Sequence, residues 1–243
     1  MKLKALIFDV DGTLADTEEA HRTAFNEAFR LHGLDWTWSK PHYARLLSIT
    51  GGKERLRAYI DSLPLVPDER RALVDRIPAM HSTKTDVYAS VVAGGHVSLR
   101  DGVKRLIEEA VSVNVQLAIA STTTLSNIEA LLRATLGRYS LQRFAVVGAG
   151  DQVRRKKPAP EIYRFVLREL DRSALECVAI EDSFHGLNAA KSAGLCTVVT
   201  PSYWTHAEDF SAADIVLPSL AMLGIREIDS RLQQYQNSNN TAF

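Results

Sequence analysis

Five short apolar runs, at residues 3–8, 116–120, 144–147, 177–180 and 196–199, constrain the fold of this chain more than any other feature. Each has the length of a strand buried on both faces, and from Arg100 onward the runs alternate with helical patterns. Leu125, Ile128, Leu131 and Leu132 mark one helix; Ile162, Phe165, Val166 and Leu170 mark another. This alternation predicts an α/β fold with a parallel sheet covered by helices. Residues 16–97 break the rhythm, because they hold helical stretches and no convincing strand. They are expected to form a helical cap inserted after the first strand, with residues 1–15 and 98–225 making the core and 226–243 a polar tail that frays. The first cap helix is expected to start at Asp16, with Glu19 completing a capping box, and to stop at Gly33. Its core stripe is Ala24, Phe25, Ala28 and Phe29.

Chemistry gathers where the strands should end, which is where open parallel sheets bind ligands. Asp9-Val10-Asp11-Gly12-Thr13 follows the first run, Ser121-Thr122 the second, Arg154-Arg155-Lys156-Lys157-Pro158 the third and Glu181-Asp182 the fourth. Asp9 and Asp11, two residues apart at a strand end, point to one face, and Gly12 permits an abrupt exit. A carboxylate can attack phosphorus and split one displacement into two easier ones, with its neighbour as proton donor and acceptor. Phosphoryl transfer also needs electrostatic stabilisation of the equatorial oxygens. Ser121 with the backbone beyond it, and Lys157, can supply that. Asp9, Asp182 and a backbone carbonyl near Asp11 form a hard-oxygen set suited to Mg²⁺, with Glu181 ligating directly or through water. Taken singly, each feature also has a plain structural use. Asp-x-Asp-Gly is turn chemistry, Lys157-Pro158-Ala159-Pro160 can open a helix, and Ser121 or Glu181-Asp182 can cap one.

Other chemistries are excluded by spacing. An EF-hand loop counted from Asp9 places Thr13 and Ala20 where acidic ligands belong. Gly51-Gly52-Lys53 ends like a P-loop, but Leu47 and Glu54 stand at its other defining positions. Gly148-Ala149-Gly150 has Val153 where a dinucleotide fingerprint needs glycine. Neither H-E-x-x-H nor G-x-S-x-G occurs. Lys plus Arg and Asp plus Glu both number 29 among 243 residues, so no whole-molecule field favours nucleic acid. No run of about 18 apolar residues suggests a membrane span, and the chain enters a strand at once, so the cytoplasm is the expected compartment. Cys177 and Cys196 open apolar runs and are expected in the core, without a disulfide.

Together, Asp9-Val10-Asp11-Gly12-Thr13, Ser121, Lys157-Pro158-Ala159-Pro160 and Glu181-Asp182-Ser183 resemble the four motifs of the haloacid dehalogenase-like superfamily. The resemblance implies a Rossmann-like core, Asp9 as nucleophile, Asp11 as general acid/base, and Ser121 and Lys157 as phosphate binders. It also implies Mg²⁺ held at Asp9, Asp11, Glu181 and Asp182. The insertion resembles the cap of the beta-phosphoglucomutase-like branch. Within that branch, the segments at 16–21, 50–55 and 156–158 are similar to the CbbY family of sugar-bisphosphate phosphatases. That similarity implies a small sugar-phosphate substrate, notably xylulose 1,5-bisphosphate, an inhibitor of Rubisco.

A bisphosphate needs a second anion site. Thr50, Gly51 and Gly52 before a helix can offer backbone NH groups, and Lys53, Arg45, Arg55 or Lys84 can add charge, although each of these four can equally be a solvated surface residue. Glu18 and Tyr43 are candidate sugar contacts, Thr122 a phosphate contact, and His21 either binds substrate or packs. A monomeric phosphatase is expected. A phosphomutase would use the same residues, a dehalogenase would have no need of Asp11, and a binding module would show no Mg²⁺-dependent turnover.

Overall fold

The computed structural model describes residues 1–240. The chain runs β1 (Ala5–Phe8), α1 (Glu18–Leu31), α2 (Lys40–Leu46), α3 (Gly52–Ser62), α4 (Pro67–Asp75), α5 (Ile77–Ala93), α6 (Val103–Ser112), β2 (Gln116–Ala120), α7 (Leu125–Leu136) and β3 (Phe144–Gly148). It continues through α8 (Glu161–Leu170), β4 (Cys177–Glu181), α9 (Phe184–Ser192), β5 (Cys196–Val199), β6 (Ile215–Val216) and α10 (Ile225–Asn240). The sheet is parallel in the order β3-β2-β1-β4-β5-β6, so the five apolar runs all become strands and the two-residue β6 adds an edge.

Alternation along β1 explains the two cores. Leu6 and Phe8 join one cluster with residues of α6, α7 and α10, while Ala5 and Ile7 join a second with residues of α8 and α9. Both sheet faces are therefore dry, as a parallel sheet requires. The chain steps outward from β1 to β2 and β3 and then crosses back to place β4 on the other side of β1, so the carboxyl end of β1 opens at the switch point of the strand order. Cys177 and Cys196 are buried and unpaired.

All five cap helices lie between β1 and β2, around a third cluster that includes Phe25, Phe29, Trp38, Tyr43, Leu56 and Met80. Three sequence expectations change. Thr17, not Asp16, precedes α1, and no side chain caps it; the Thr17 hydroxyl is engaged by Asp11, Asp16 lies 3.6 Å from Arg100, and Glu19 pairs with Arg22. Leu125, placed on an apolar stripe, is exposed at the start of α7. The polar segment from Arg226 is helix α10, held by buried Ile228 and Leu232, with Asp229 accepting from the backbone NH groups of Lys2 and Leu3. The expected fraying overlooked this sparse apolar stripe within a polar composition; residues 241–243 lie outside the described residues.

Candidate active site

Asp9 follows β1 and remains in the sheet's hydrogen bonding through its NH to the Ile180 carbonyl, 2.9 Å away. That register brings it beside Glu181 and Asp182 at the end of β4. Carboxylate oxygens of Asp9, Glu181 and Asp182 lie within 4.8 Å of one another, all buried. Lys157 enters this group from the loop after β3, donating at 2.6 Å to Asp9 Oδ1 and at 2.6 Å to Glu181 Oε1. Tyr163 on α8 also donates to Glu181 Oε1, and its ring lies 5.2 Å from the Lys157 ammonium. Glycine is required at two neighbouring positions. Gly12 has φ of +83°, and a Cβ there would lie 2.1 Å from Asp182 Oδ2; one on Gly186 would lie 1.9 Å from Glu181 Oε2.

Electrostatics define what this cluster accepts. Burial, reinforced by the charge of Glu181 and opposed by Lys157, pushes Asp9 up to about 8. Burial and the charges of Asp9 and Glu181 likewise push Asp182 far above the carboxylate range. Burial opposes the charge on Lys157, but Asp9 and Glu181 outweigh it and raise its pKa. Three carboxylates against one ammonium leave two negative charges uncompensated when all are ionised, and a divalent cation matches that surplus. The oxygen-only donors fit Mg²⁺. Asp9, Asp182 and Glu181 would hold it, while the Asp11 carboxylate does not belong to this set.

Asp11 turns toward the cap instead. Its Oδ1 accepts from Thr17 Oγ1 at 2.6 Å and lies 2.8 Å from His21 Nε2. Burial alone would raise its pKa, but the His21 charge, the His21 and Thr17 hydrogen bonds and the Lys84 charge bring it down to about 2. His21 Nδ1 lies 2.6 Å from Lys84 Nζ, and the imidazole stacks on Tyr88 at 4.1 Å. Of the two uses foreseen for His21, packing is the one seen here, and the ring also contacts Asp11. Burial lowers Lys84 to about 7.

One cleft brings together Asp9, Asp11, Glu18, His21, Thr50, Gly51, Gly52, Lys53, Arg55, Lys84, Thr122, Lys157 and Asp182. Ser121 lies at the end of β2, buried, with its Oγ accepting from the Thr123 NH at 3.1 Å. Tyr43 is buried behind the cleft wall. Its hydroxyl donates to Glu18 Oε2 at 2.7 Å and accepts from Arg55 at 2.9 Å. Arg55 also donates to the Leu46 and Ile49 carbonyls, so it is largely committed to the cap. Arg45 is exposed on α2 and outside the cleft, because the helix turns its last-turn arginine to solvent. Thr50 Oγ1 reaches the Lys157 carbonyl at 2.5 Å, and Lys53 lies 3.5 Å from Asp151, so both touch the core as well.

Sequence reasoning missed Thr17, His81, Tyr163, Thr205 and Trp204. Thr205 Oγ1 donates to Asp182 Oδ2 at 3.3 Å, and Trp204 lines the cleft. The strand-end rule, extended to the fifth run, points to this loop after Val199. Tyr163 falls among apolar helix positions, where no local pattern separates it from a packing residue.

A buried acidic cluster bridged by a lysine, with a second aspartate bonded to a cap histidine, at the carboxyl end of a parallel sheet is an arrangement suited to phosphoryl transfer. The chain belongs to the haloacid dehalogenase-like hydrolases, whose family model matches residues 3–194. Within them it is a phosphatase of the CbbY type. It is 47% identical over 228 residues to protein CbbY of Rhodobacter capsulatus, covering 94% of this chain and 98% of that protein. It is 49% identical to the plasmid-encoded CbbY of Cupriavidus necator over 220 residues, 90% of this chain and 86% of that one. The crystal structure of CbbY from Rhodobacter sphaeroides with phosphate superposes with a TM-score of 0.86 at 45% identity, covering 93% of this chain and 99% of the other. A variant of that protein, crystallised with xylulose-(1,5)bisphosphate, gives 0.86 at 44% identity over 93% and 98% of the two chains. Beta-phosphoglucomutase from Clostridium difficile shares the fold, with a TM-score of 0.74 at 21% identity over 96% and 98%. Among the described residues no helix is long and apolar enough to cross a membrane.

Proposed function

We propose that the protein hydrolyses a phosphate ester of xylulose 1,5-bisphosphate through an aspartyl-phosphate on Asp9, with Mg²⁺ as cofactor, and so removes an inhibitor of Rubisco. The observation that carries this is the Lys157 ammonium set between Asp9 and Glu181 at one end of a cleft whose cap side bears Lys53, Lys84 and the N-terminus of α3. One end suits the reacting phosphoryl group, the other a second phosphate. The relative crystallised with xylulose-(1,5)bisphosphate supports the same ligand class.

An Asp9 carboxylate oxygen attacks phosphorus, and the bond from phosphorus to the sugar oxygen breaks as Asp11 gives that oxygen a proton. Asp11 is left as a carboxylate, held in place by its hydrogen bonds with Thr17 Oγ1 and His21 Nε2. Water then attacks the aspartyl-phosphate and Asp11 takes its proton, releasing phosphate and restoring Asp9. Lys157 holds Asp9 and offers charge to the phosphoryl oxygens, joined by the Ser121 hydroxyl and the NH groups after it. Bound Mg²⁺ would neutralise charge between the Asp9 and Asp182 carboxylates and the phosphoryl group. Glu18, held by Tyr43, faces the sugar.

The test is incubation of the protein with xylulose 1,5-bisphosphate and Mg²⁺. Inorganic phosphate should appear, and Asp9→Asn should release none. Formation of an isomeric monophosphate without free phosphate would make the protein a mutase; no Mg²⁺ dependence would remove the proposed cofactor.

A further inference from the structure

The loop after β5 joins three parts of the molecule. At its start, the Arg100 guanidinium donates to the carbonyls of Thr200 and Pro201, at 2.7 and 2.8 Å, and to that of Gly12 in the Asp9–Thr13 turn. This side chain is only 12% exposed, and three carbonyls share one rigid fork, which locks the loop to the turn bearing Asp11. At its end, Thr205 Oγ1 donates to Asp182 Oδ2 and itself accepts from the Ser202 NH at 2.9 Å. Trp204, between these anchors, lines the cleft and also reaches the cap. Its ring meets Tyr43 of the cap edge-on, with centroids 5.8 Å apart and planes at 86°, and it packs on the cap's aromatic cluster. Tyr43 in turn holds Glu18 through its hydroxyl.

We infer that Trp204 is a specificity-determining positioning residue of the catalytic core: by seating Tyr43, it fixes the Glu18 carboxylate where the sugar of a sugar phosphate is read. This rests on the hydrolytic function proposed above. A rigid loop ring is suited to the task, because an edge-to-face contact is directional and an indole loses little freedom in making it. Cap residues acquire a defined height over Asp9 only when something on the core meets them. Trp204 supplies that stop, and its neighbours on the same loop tie the stop to Asp182.

Trp204→Ala and Trp204→Phe, checked for unchanged thermal melting, provide the test. On xylulose 1,5-bisphosphate, Trp204→Ala should raise KM about tenfold, and the ratio of its kcat/KM to that for p-nitrophenyl phosphate should fall similarly. Trp204→Phe, which keeps a ring against Tyr43, should recover most of that loss. Equal losses on both substrates would overturn the inference, as would alanine and phenylalanine variants that behave alike. In an Asp9→Asn background, binding of xylulose 1,5-bisphosphate should weaken about tenfold with Trp204→Ala. Such weakening without phosphate release by the wild type would sink the hydrolytic function and leave the role of Trp204 standing. Binding insensitive to Trp204→Ala would overturn the inference alone.

Discussion

His21 Nε2 stands 2.8 Å from Asp11 Oδ1, which makes a cap histidine the immediate partner of the core aspartate proposed as acid/base. Asp11 is brought to about 2 against burial by that imidazole, by the Thr17 hydroxyl and by Lys84. Replacing His21 with alanine removes the largest lowering influence, so the Asp11 pKa rises. Activation of water needs Asp11 deprotonated, and the acid limb of the pH–kcat profile should therefore move to higher pH. The maximal rate should fall about 10²-fold, because Asp11 also loses the hydrogen bond that orients it. An unmoved acid limb would separate His21 from the titration of Asp11.

The buried carboxylates predict a crossed response to metal. With Asp9, Glu181 and Asp182 within 4.8 Å, ionised oxygens repel until a cation joins them. Mg²⁺ at a hundredfold excess over its Kd should stabilise the folded chain by about 3 kcal/mol, and chelation should reverse this. Asp182→Asn removes a buried carboxyl that, without metal, must take up a proton on folding. Its metal-free melting temperature should rise while its gain from Mg²⁺ shrinks, both measurable by calorimetry. A wild-type melting temperature indifferent to Mg²⁺ would refute the site.

Lys53 predicts a difference between substrates. It sits on the first turn of α3 with its ammonium 3.5 Å from Asp151, half exposed, at the cap side of the cleft. An exposed charge is screened, so its loss is modest: Lys53→Ala should raise KM for a sugar bisphosphate about fivefold and that for the monophosphate less. Equal increases for both would place the second phosphate elsewhere.

What the sequence disclosed follows the range of the interactions. Strands such as β1 and β4 are legible because burial on both faces demands continuous apolar runs, and Asp9, Lys157 and Asp182 because their chemistry is bound to strand ends. Contacts made across the cap are not. Lys84 lies 63 positions from His21 and Tyr43 lies 25 from Glu18, so no local pattern indicates that they touch. Arg45 and Arg55 look alike as cap arginines, yet helix phase sends one to solvent and the other onto Tyr43. Tail residues 226–240 misled because Ile228 and Leu232 are few among polar neighbours, although both reach the core.

His81 predicts how the cap answers acid. Burial, together with the positive charges of Lys84 and Lys53, lowers His81 to about 4 from an ordinary 6.5. In the unfolded chain the imidazole takes up a proton below pH 6.5, whereas the folded chain leaves it neutral until about pH 4. Between those values the unfolded state binds more protons, so stability falls as the pH is lowered, by about 3 kcal/mol across the window. His81→Gln carries no titrating group and should lose less stability between pH 7 and pH 4. Urea midpoints at the two pH values for both proteins measure the difference. Parallel losses in the two proteins would assign the acid sensitivity to the carboxylates instead.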